Sequence, residues 1–187
     1  MLIDELLPRY DFNEMHSVEI AASAEVVYGA LFTFDMGKPL IVRALMSIRS
    51  IPTLMKGSRR SLDHRPLMLA DAGRAGFTVL ATDPPREVVL GIQGQFWKLV
   101  PNTQCVSEAE FRAPIPAETA RAAWNFSVEP VDARRSILRT ETRILCGDAA
   151  SRRRFGFYWM LIRPGSGIIR WAMLATVKSE ALRAACE

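Results

Sequence analysis

The chain has 187 residues, of which 49% are hydrophobic and 24% charged, and its formal net charge at pH 7 is +4. These values predict one globular domain over residues 1–187 that folds without disulfides or metal, and they exclude wholesale disorder. The basic residues are scattered among acidic ones and form no recognisable nucleic-acid-binding motif. We therefore expect no nucleic-acid partner.

The amino-terminal residues and the most apolar segments of the chain indicate in which cellular compartment the protein is expected. Residues 1–5 read Met-Leu-Ile-Asp-Glu, an acidic start without the apolar stretch of a signal peptide. The apolar windows near the carboxyl end are interrupted by Arg163 and Arg170, so no run approaches the ~20 residues of a transmembrane helix. The sequence predicts a cytoplasmic protein with no transmembrane segment.

The first predicted elements are a strand and two short helices. Residues 14–22 alternate between apolar and polar, which places His16 and Val18 on one face of a strand. Ser23 is a suitable cap for the first helix, and a second helix is predicted over residues 39–51. Residues 56–76 are polar and turn-rich, with room for one short helix at 67–72.

Consecutive strands follow without intervening helices. A hairpin is predicted from residues 77–82 and 87–92, joined by the turn 83–86. The most regular alternation lies in residues 122–128 and 136–146, which form a second hairpin. Shorter strands are predicted at 95–100, 106–112 and 119–128.

A long helix is predicted from Asp148, its N-cap, to residue 185. Apolar side chains recur at i, i+3, i+4 and i+7 in its first half and resume further on. Pro164 removes a backbone donor and clashes with the preceding turn, so we expect a kink or a break there. The predicted buried face contains Phe155, Tyr158, Trp159, Ile162, Ile168, Trp171, Ala172, Ala175 and Leu182.

This order of elements predicts the α+β class, with a curved antiparallel sheet of about six or seven strands wrapped around the C-terminal helix. The chain resembles the SRPBCC or START-like superfamily, whose members have the helix-grip fold. The similarity is greatest to a bacterial branch often labelled polyketide-cyclase-like. It is carried by residues 10–20, Ala21-Ala22-Ser23-Ala24-Glu25-Val26-Val27, Gly94-Gln95-Phe96-Trp97, Ala123-Trp124-Asn125-Phe126, Thr140-Glu141-Thr142-Arg143 and residues 152–164.

The resemblance implies either a carrier of lipid-like molecules or an aromatase/cyclase, and one fold hosts many functions. We expect a cavity between the sheet and the C-terminal helix that sequesters a small hydrophobic or amphipathic molecule. The alternative is that the aromatic side chains fill a solid core. The predicted ligand-binding residues are His16, Val18, Phe77, Val79, Trp97, Trp124, Phe126, Thr140, Thr142, Tyr158 and Leu161.

An enzyme is the second hypothesis, a cyclase/aromatase in which Tyr158, His16 or an inward arginine assists proton transfer. No catalytic motif assigns such a residue, and the favoured interpretation is a hydrogen-bonded structural His16 and a solvated His64. Glu108 and Glu110 would share a strand face, either as an acid–base pair or as a solvated edge. Three cysteines lack metal-ligand spacing, so we predict no metal and no cofactor.

The run Arg152-Arg153-Arg154 stands at the start of the C-terminal helix, where positive charge opposes the helix dipole. A solvated face is the ordinary interpretation. Contact with anionic lipid headgroups or with an acidic protein partner is the alternative, and the latter would make the protein an interaction module. The sequence contains no feature that indicates a particular oligomeric state.

Overall fold

The computed structural model describes residues 1–34, 69, 73, 76–98 and 102–186. The predicted helix at 39–51, most of the loop at 56–76 and His64 lie outside these residues. The strands are β1 (Phe12–Ile20), β2 (Thr78–Asp83), β3 (Glu87–Gln95), β4 (Asn102–Gln104), β5 (Ala120–Asp132) and β6 (Arg135–Cys146). The helices in the described part are α1 (Leu2–Leu6), α2 (Ala24–Thr33), α3 (Glu108–Arg112) and α4 (Ala149–Ala184).

The six described strands form one open antiparallel sheet in the order β1-β6-β5-β3-β2, with β4 paired to β3. The class is α+β, as predicted. In the β5–β6 hairpin Trp124 lies opposite Thr142 and Phe126 lies opposite Thr140. The predicted inward-facing residues of the two strands are therefore on the same side of the sheet. The hairpin turns tightly because the Asp132 carboxylate accepts a hydrogen bond from the Arg134 amide at 2.8 Å.

Helices α2 and α4 pack on one face of the sheet, which we call the inner face, and α4 lies over β1 and β6. The core there includes the fully buried Leu31, Phe126, Leu138 and Leu174. The opposite, outer face is covered by α1 and α3, whose Ile3 and Phe111 pack against β2, β3 and β5. Helix α1 was not predicted from the sequence.

Helix α4 begins as predicted, because the Asp148 carboxylate accepts a hydrogen bond from the Ser151 amide at 2.6 Å. Of the kink or break predicted at Pro164, the break is wrong, since the helix continues through this residue. Apolar packing on both sides of Pro164, at Phe155 before it and Leu174 after it, holds both halves against the same sheet. None of the described helices combines the length and the apolarity that crossing a bilayer requires.

The predicted buried face of α4 holds in its first half. In its second half it is wrong at Ile168, Trp171 and Ala175, whereas Leu182 packs against the core. Phe155 and Trp159 are buried, but Ile168 and Trp171 are exposed by 46% and 53%. Continuing the 3.6-residue period from Phe155 leads instead to Ser166, Arg170 and Met173, so the inner face passes through two polar positions. The residues of α4 that are buried beyond Pro164 are Met173, Leu174, Val177 and Ala181.

Two predicted strands differ from the structure. Residues 108–112 form α3, because Ser107 and Glu110 make a capping box in which the Ser107 amide donates to Glu110 Oε2 at 2.7 Å. Glu108 instead pairs with Arg112 at 2.9 Å, so the two glutamates form no acid–base pair on a strand. The predicted strand at 95–100 is also wrong over its described part, since β3 ends at Gln95 and a turn follows.

Candidate functional site

The middle of α4 contains three small residues, Gly165, Ser166 and Gly167, and Gly167 lies against Glu14 and His16 of β1. On either side of this point the helix is packed on apolar clusters, one around Phe155 and the other around Leu174. Between the clusters the inner face carries polar side chains from β1, β5 and β6. We call Glu14, His16, Thr142 and Arg170 the polar cluster.

Glu14 and His16 are paired on β1, where the two-residue period puts both on the inner face. His16 Nε2 lies 3.1 Å from Glu14 Oε1, which is within hydrogen-bond distance. The Glu14 side chain is 7% exposed and that of His16 is 16% exposed. Trp171 of α4 contacts the imidazole edge-to-face at 5.5 Å.

Gly167 is what lets the helix approach this pair. A Cβ atom at position 167 would lie 3.1 Å from Glu14 Oε1 and 3.8 Å from His16 Nε2. The distance to His16 is an ordinary van der Waals contact, but the distance to Glu14 is tighter than most Cβ contacts, so a larger residue would require the carboxylate or the helix to shift by a few tenths of an ångström. The backbone of α4 therefore rests directly on the Glu14–His16 pair.

Arg170 reaches the same place from α4, and its side chain is only 11% exposed. Its Nε lies 3.8 Å from Glu14 Oε2, which is an ion pair too long for a hydrogen bond. Its guanidinium carbon lies 5.7 Å from the centre of the Trp124 ring. Burial lowers the pKa of Arg170, while the charge of Glu14 acts in the opposite direction.

Several polar atoms in the polar cluster are buried without a hydrogen-bond partner. They are Glu14 Oε2, Thr142 Oγ1 and the Nε and Nη1 atoms of Arg170. A buried polar group without a partner costs about 1–3 kcal/mol, and more when it is charged. Their convergence on one point marks a site that a further polar molecule would complete.

The wall beside the polar cluster is aromatic. Trp124 packs against Phe77 and Phe126 with ring centres 5.6 and 5.0 Å apart. Its Nε1 donates to Thr140 Oγ1 at 2.7 Å, and this hydroxyl donates to the Asn125 carbonyl at 2.9 Å. Thr140 is therefore saturated and orients the indole, whereas Thr142, two residues further along β6, is not.

The structure gathers part of the predicted ligand-binding set around this point. His16, Trp124, Thr140 and Thr142 lie at or next to the polar cluster, and Phe126 is completely buried in the core behind Trp124. The remaining inward residues lie on the flanking apolar clusters and are partly buried. Val18 packs on the cluster around Leu174, and Trp97 and Tyr158 pack on the cluster around Phe155. Phe77 contacts both clusters.

Two predicted ligand-binding residues, Leu161 and Val79, are exposed, so the prediction that they lie in the interior is wrong for both. Leu161 is 81% exposed because it lies on the side of α4 opposite the sheet. Val79 is 45% exposed because β2 is the edge strand, beyond the part of the inner face that α4 covers.

Sequence reasoning missed the two charged members of the polar cluster, Glu14 and Arg170. The signal was present in both cases. Glu14 precedes His16 by two residues and so shares its face, and Arg170 lies on the helical period that leads from Trp159 to Met173. Charged residues are rarely buried, which is why periodicity alone did not assign them to the interior.

The arginine run at the start of α4 is partly neutralised. Arg152 pairs with Asp11 at 3.1 Å and Arg154 with Glu118 at 3.6 Å, while Arg153 is exposed. Open grooves bordered by described residues lie elsewhere. One of about 430 Å³ runs between α2 and the carboxyl end of α4 and contains no predicted site residue. The predicted cavity at the centre of the inner face stays a prediction.

Comparison with known proteins adds little to this description. No family model matches the chain, and no curated protein matches it. Similar solved structures include a conserved protein from Geobacillus kaustophilus (13% identity, TM-score 0.38, covering 92% of this chain and 97% of that one). The Zhui aromatase/cyclase from Streptomyces sp. R1128 has 14% sequence identity and a TM-score of 0.33, and the match covers 92% of this chain and 94% of that one. A Thalictrum flavum norcoclaurine synthase point mutant in complex with a transition-state analogue has 9% identity and a TM-score of 0.35, and the match covers 92% of this chain and 95% of that one.

These identities and TM-scores are too low to support any argument about activity. The fold is assigned from the architecture of the chain, an open antiparallel sheet packed against one long C-terminal helix. This is the helix-grip arrangement predicted from the sequence.

Proposed function

We propose that this protein binds a small hydrophobic or amphipathic molecule between the inner face of the sheet and α4. The observation that carries the proposal is the set of buried, unpartnered atoms of Glu14, Thr142 and Arg170 beside the Trp124 ring. Binding sites for small molecules are mostly apolar with a few placed polar groups, and this region has that composition. The ligand's polar end meets the polar cluster and its apolar part lies against Trp124 and Phe77.

Titration with a fluorescent fatty-acid or polyaromatic probe tests the proposal. We expect wild type to bind the probe and Trp124→Ala to bind it about tenfold or more weakly, a change of about 1.4 kcal/mol. Leu161→Ala is the matched control, because Leu161 is also apolar but faces away from the sheet. A wild type that binds no probe, together with a loss of about 3–5 kcal/mol in Trp124→Ala, would mean a solid core instead.

An enzyme of the cyclase/aromatase type is a second candidate, favoured by the Glu14–His16 pair beside Arg170. In such a site the carboxylate removes a proton next to a carbonyl, and the guanidinium stabilises the negative oxygen that develops. Turnover of a polyketide-like probe during the titration, abolished in Glu14→Gln, would favour this candidate over simple sequestration.

We also propose that α4 contacts anionic membrane surfaces through its exposed side. Five exposed apolar residues form an outer stripe there: Phe157, Met160, Leu161, Ile168 and Trp171. Residues 149–179 contain six basic residues and no acidic one, and Arg153 and Arg163 are exposed beside the stripe. Apolar and aromatic side chains flanked by arginines suit the headgroup region of an anionic bilayer, where a carrier would exchange an apolar ligand.

Co-sedimentation with vesicles tests this contact. The protein should bind vesicles of phosphatidylcholine with phosphatidylglycerol, bind pure phosphatidylcholine weakly, and lose binding as salt is raised. Leu161→Glu should abolish binding, while Val131→Glu, at an exposed position of similar chemistry at the end of β5, should not. Equal binding by wild type and Leu161→Glu would overturn the proposal.

A further inference from the structure

The unpartnered atoms of the polar cluster differ in what they require. Glu14 Oε2 can only accept hydrogen bonds, and Arg170 Nε and Nη1 can only donate them. Thr142 Oγ1 can do either. The hydrogen bond between His16 Nε2 and the Glu14 carboxylate is made to Oε1, so it leaves Oε2 without a partner.

On the basis of the proposed function, we infer that the polar end of the ligand is an uncharged group that both donates and accepts, a hydroxyl or an amide. The gap between Glu14 Oε2 and Arg170 Nε is 3.8 Å, too long for a direct hydrogen bond. A hydroxyl or an amide beside it donates to the Glu14 carboxylate and accepts from the Arg170 guanidinium. Both sides of the gap are then satisfied by one group.

Charged polar ends satisfy only one side. A carboxylate or phosphate accepts from Arg170 but has no proton for Glu14 Oε2, and it places a second negative charge beside the first. An ammonium group donates to Glu14 but leaves the donors of Arg170 unmet and adds a second positive charge. Because like charges in a site of low polarity repel strongly, each costs binding energy that a neutral group does not.

The charge balance of the surroundings agrees with a neutral polar end. Glu14 and Arg170 carry opposite charges. The other described side chains beside them are Thr140, Thr142 and the Trp124 ring, which carry no charge, and His16, whose Nε2 lies 3.1 Å from Glu14 Oε1. The site therefore presents a compensated pair rather than an excess of either sign. It selects by hydrogen-bonding pattern rather than by net charge.

Competition against the bound fluorescent probe by four compounds of equal chain length tests the inference: decan-1-ol, decanamide, decanoate and decylammonium. We expect the alcohol and the amide to displace the probe at concentrations about tenfold lower than the two ions, as for sites built to hydrogen-bond a specific polar group. Displacement by decanoate or decylammonium at an equal or lower concentration overturns the inference and leaves the proposed function standing. Failure of wild type to bind the probe or any of the four overturns both.

The variant Glu14→Gln provides an independent arm. It removes the negative charge and adds an N–H donor at the same place. The concentration at which decanoate displaces the probe, divided by that for decan-1-ol, should therefore be about tenfold lower than in wild type. An unchanged order of the four compounds in a folded Glu14→Gln protein contradicts a role for Glu14 in selection. If this variant does not fold, the wild-type series alone decides the inference.

Discussion

Removal of α4 by truncation after Gly147 is expected to abolish cooperative folding. The helix contributes Phe155, Trp159, Leu174 and Val177 to the core and covers Leu138 of the sheet. At about 25 cal/mol per Å², uncovering several hundred Å² of apolar surface costs as much as the entire ~5–15 kcal/mol stability of a domain. Circular dichroism during heating should show no sharp transition.

The control for this experiment is truncation after Ala184, which removes the exposed Ala185 and Cys186 with the last residue and leaves α4 complete. That protein should melt like wild type. A sharp cooperative melt of the protein ending at Gly147 would show that the sheet with α1, α2 and α3 is stable alone. The central role given to α4 would then be wrong.

The second large effect is expected at the buried ion pair. Arg170→Met leaves Glu14 charged and 7% exposed, and Glu14→Gln leaves Arg170 charged and 11% exposed. Each single change should lower the free energy of unfolding by about 3–5 kcal/mol, because the remaining buried charge is uncompensated. The double variant should be clearly more stable than the sum of the two losses predicts. Urea unfolding of the four proteins measures all of these values.

Arg112→Met is the matched control, since Arg112 forms its 2.9 Å ion pair with Glu108 on an exposed helix surface. Surface pairs of this kind contribute about 0–1 kcal/mol, so this variant should stay close to wild type. Additive losses in the Glu14 and Arg170 variants would mean that the two charges do not interact across the gap, and the polar cluster would not be one site.

The sequence predicted those parts of the fold that depend on local periodicity. The β2–β3 and β5–β6 hairpins, the strand that carries His16 and the N-cap at Asp148 are all present. Each has a two-residue or 3.6-residue pattern bounded by turn residues, which is the signal that such reasoning reads. The antiparallel sheet with its long C-terminal helix followed from their order.

The errors arise where local and tertiary preferences compete. Residues 106–112 alternate like a strand, yet the capping box of Ser107 and Glu110 stabilises a helix. The second half of α4 offers two apolar sides, and tertiary packing selects Met173 and Val177 over Ile168 and Trp171. Periodicity within one element does not reveal which side its neighbours cover.

The candidate site was predicted only in part, for a related reason. Trp124 and the threonines of β6 were identified because they alternate on an apolar face. Glu14 and Arg170 were not, because they are 156 positions apart in the chain and are brought together only by the packing of α4 across β1. A buried charge becomes recognisable when its partner is known.

Methyl NMR of methionine-labelled protein during titration with decan-1-ol tests most directly whether the ligand binds under α4. Met173 is 4% exposed and lies one turn beyond Arg170 on the inner side of α4, whereas Met160 is 71% exposed on the outer stripe and Met15 is 56% exposed on β1. We expect the Met173 signal to shift in a saturable way while the signals of Met160 and Met15 stay constant. A saturable shift at Met160 with none at Met173, or no shift at any of the three, would contradict binding between the sheet and the helix.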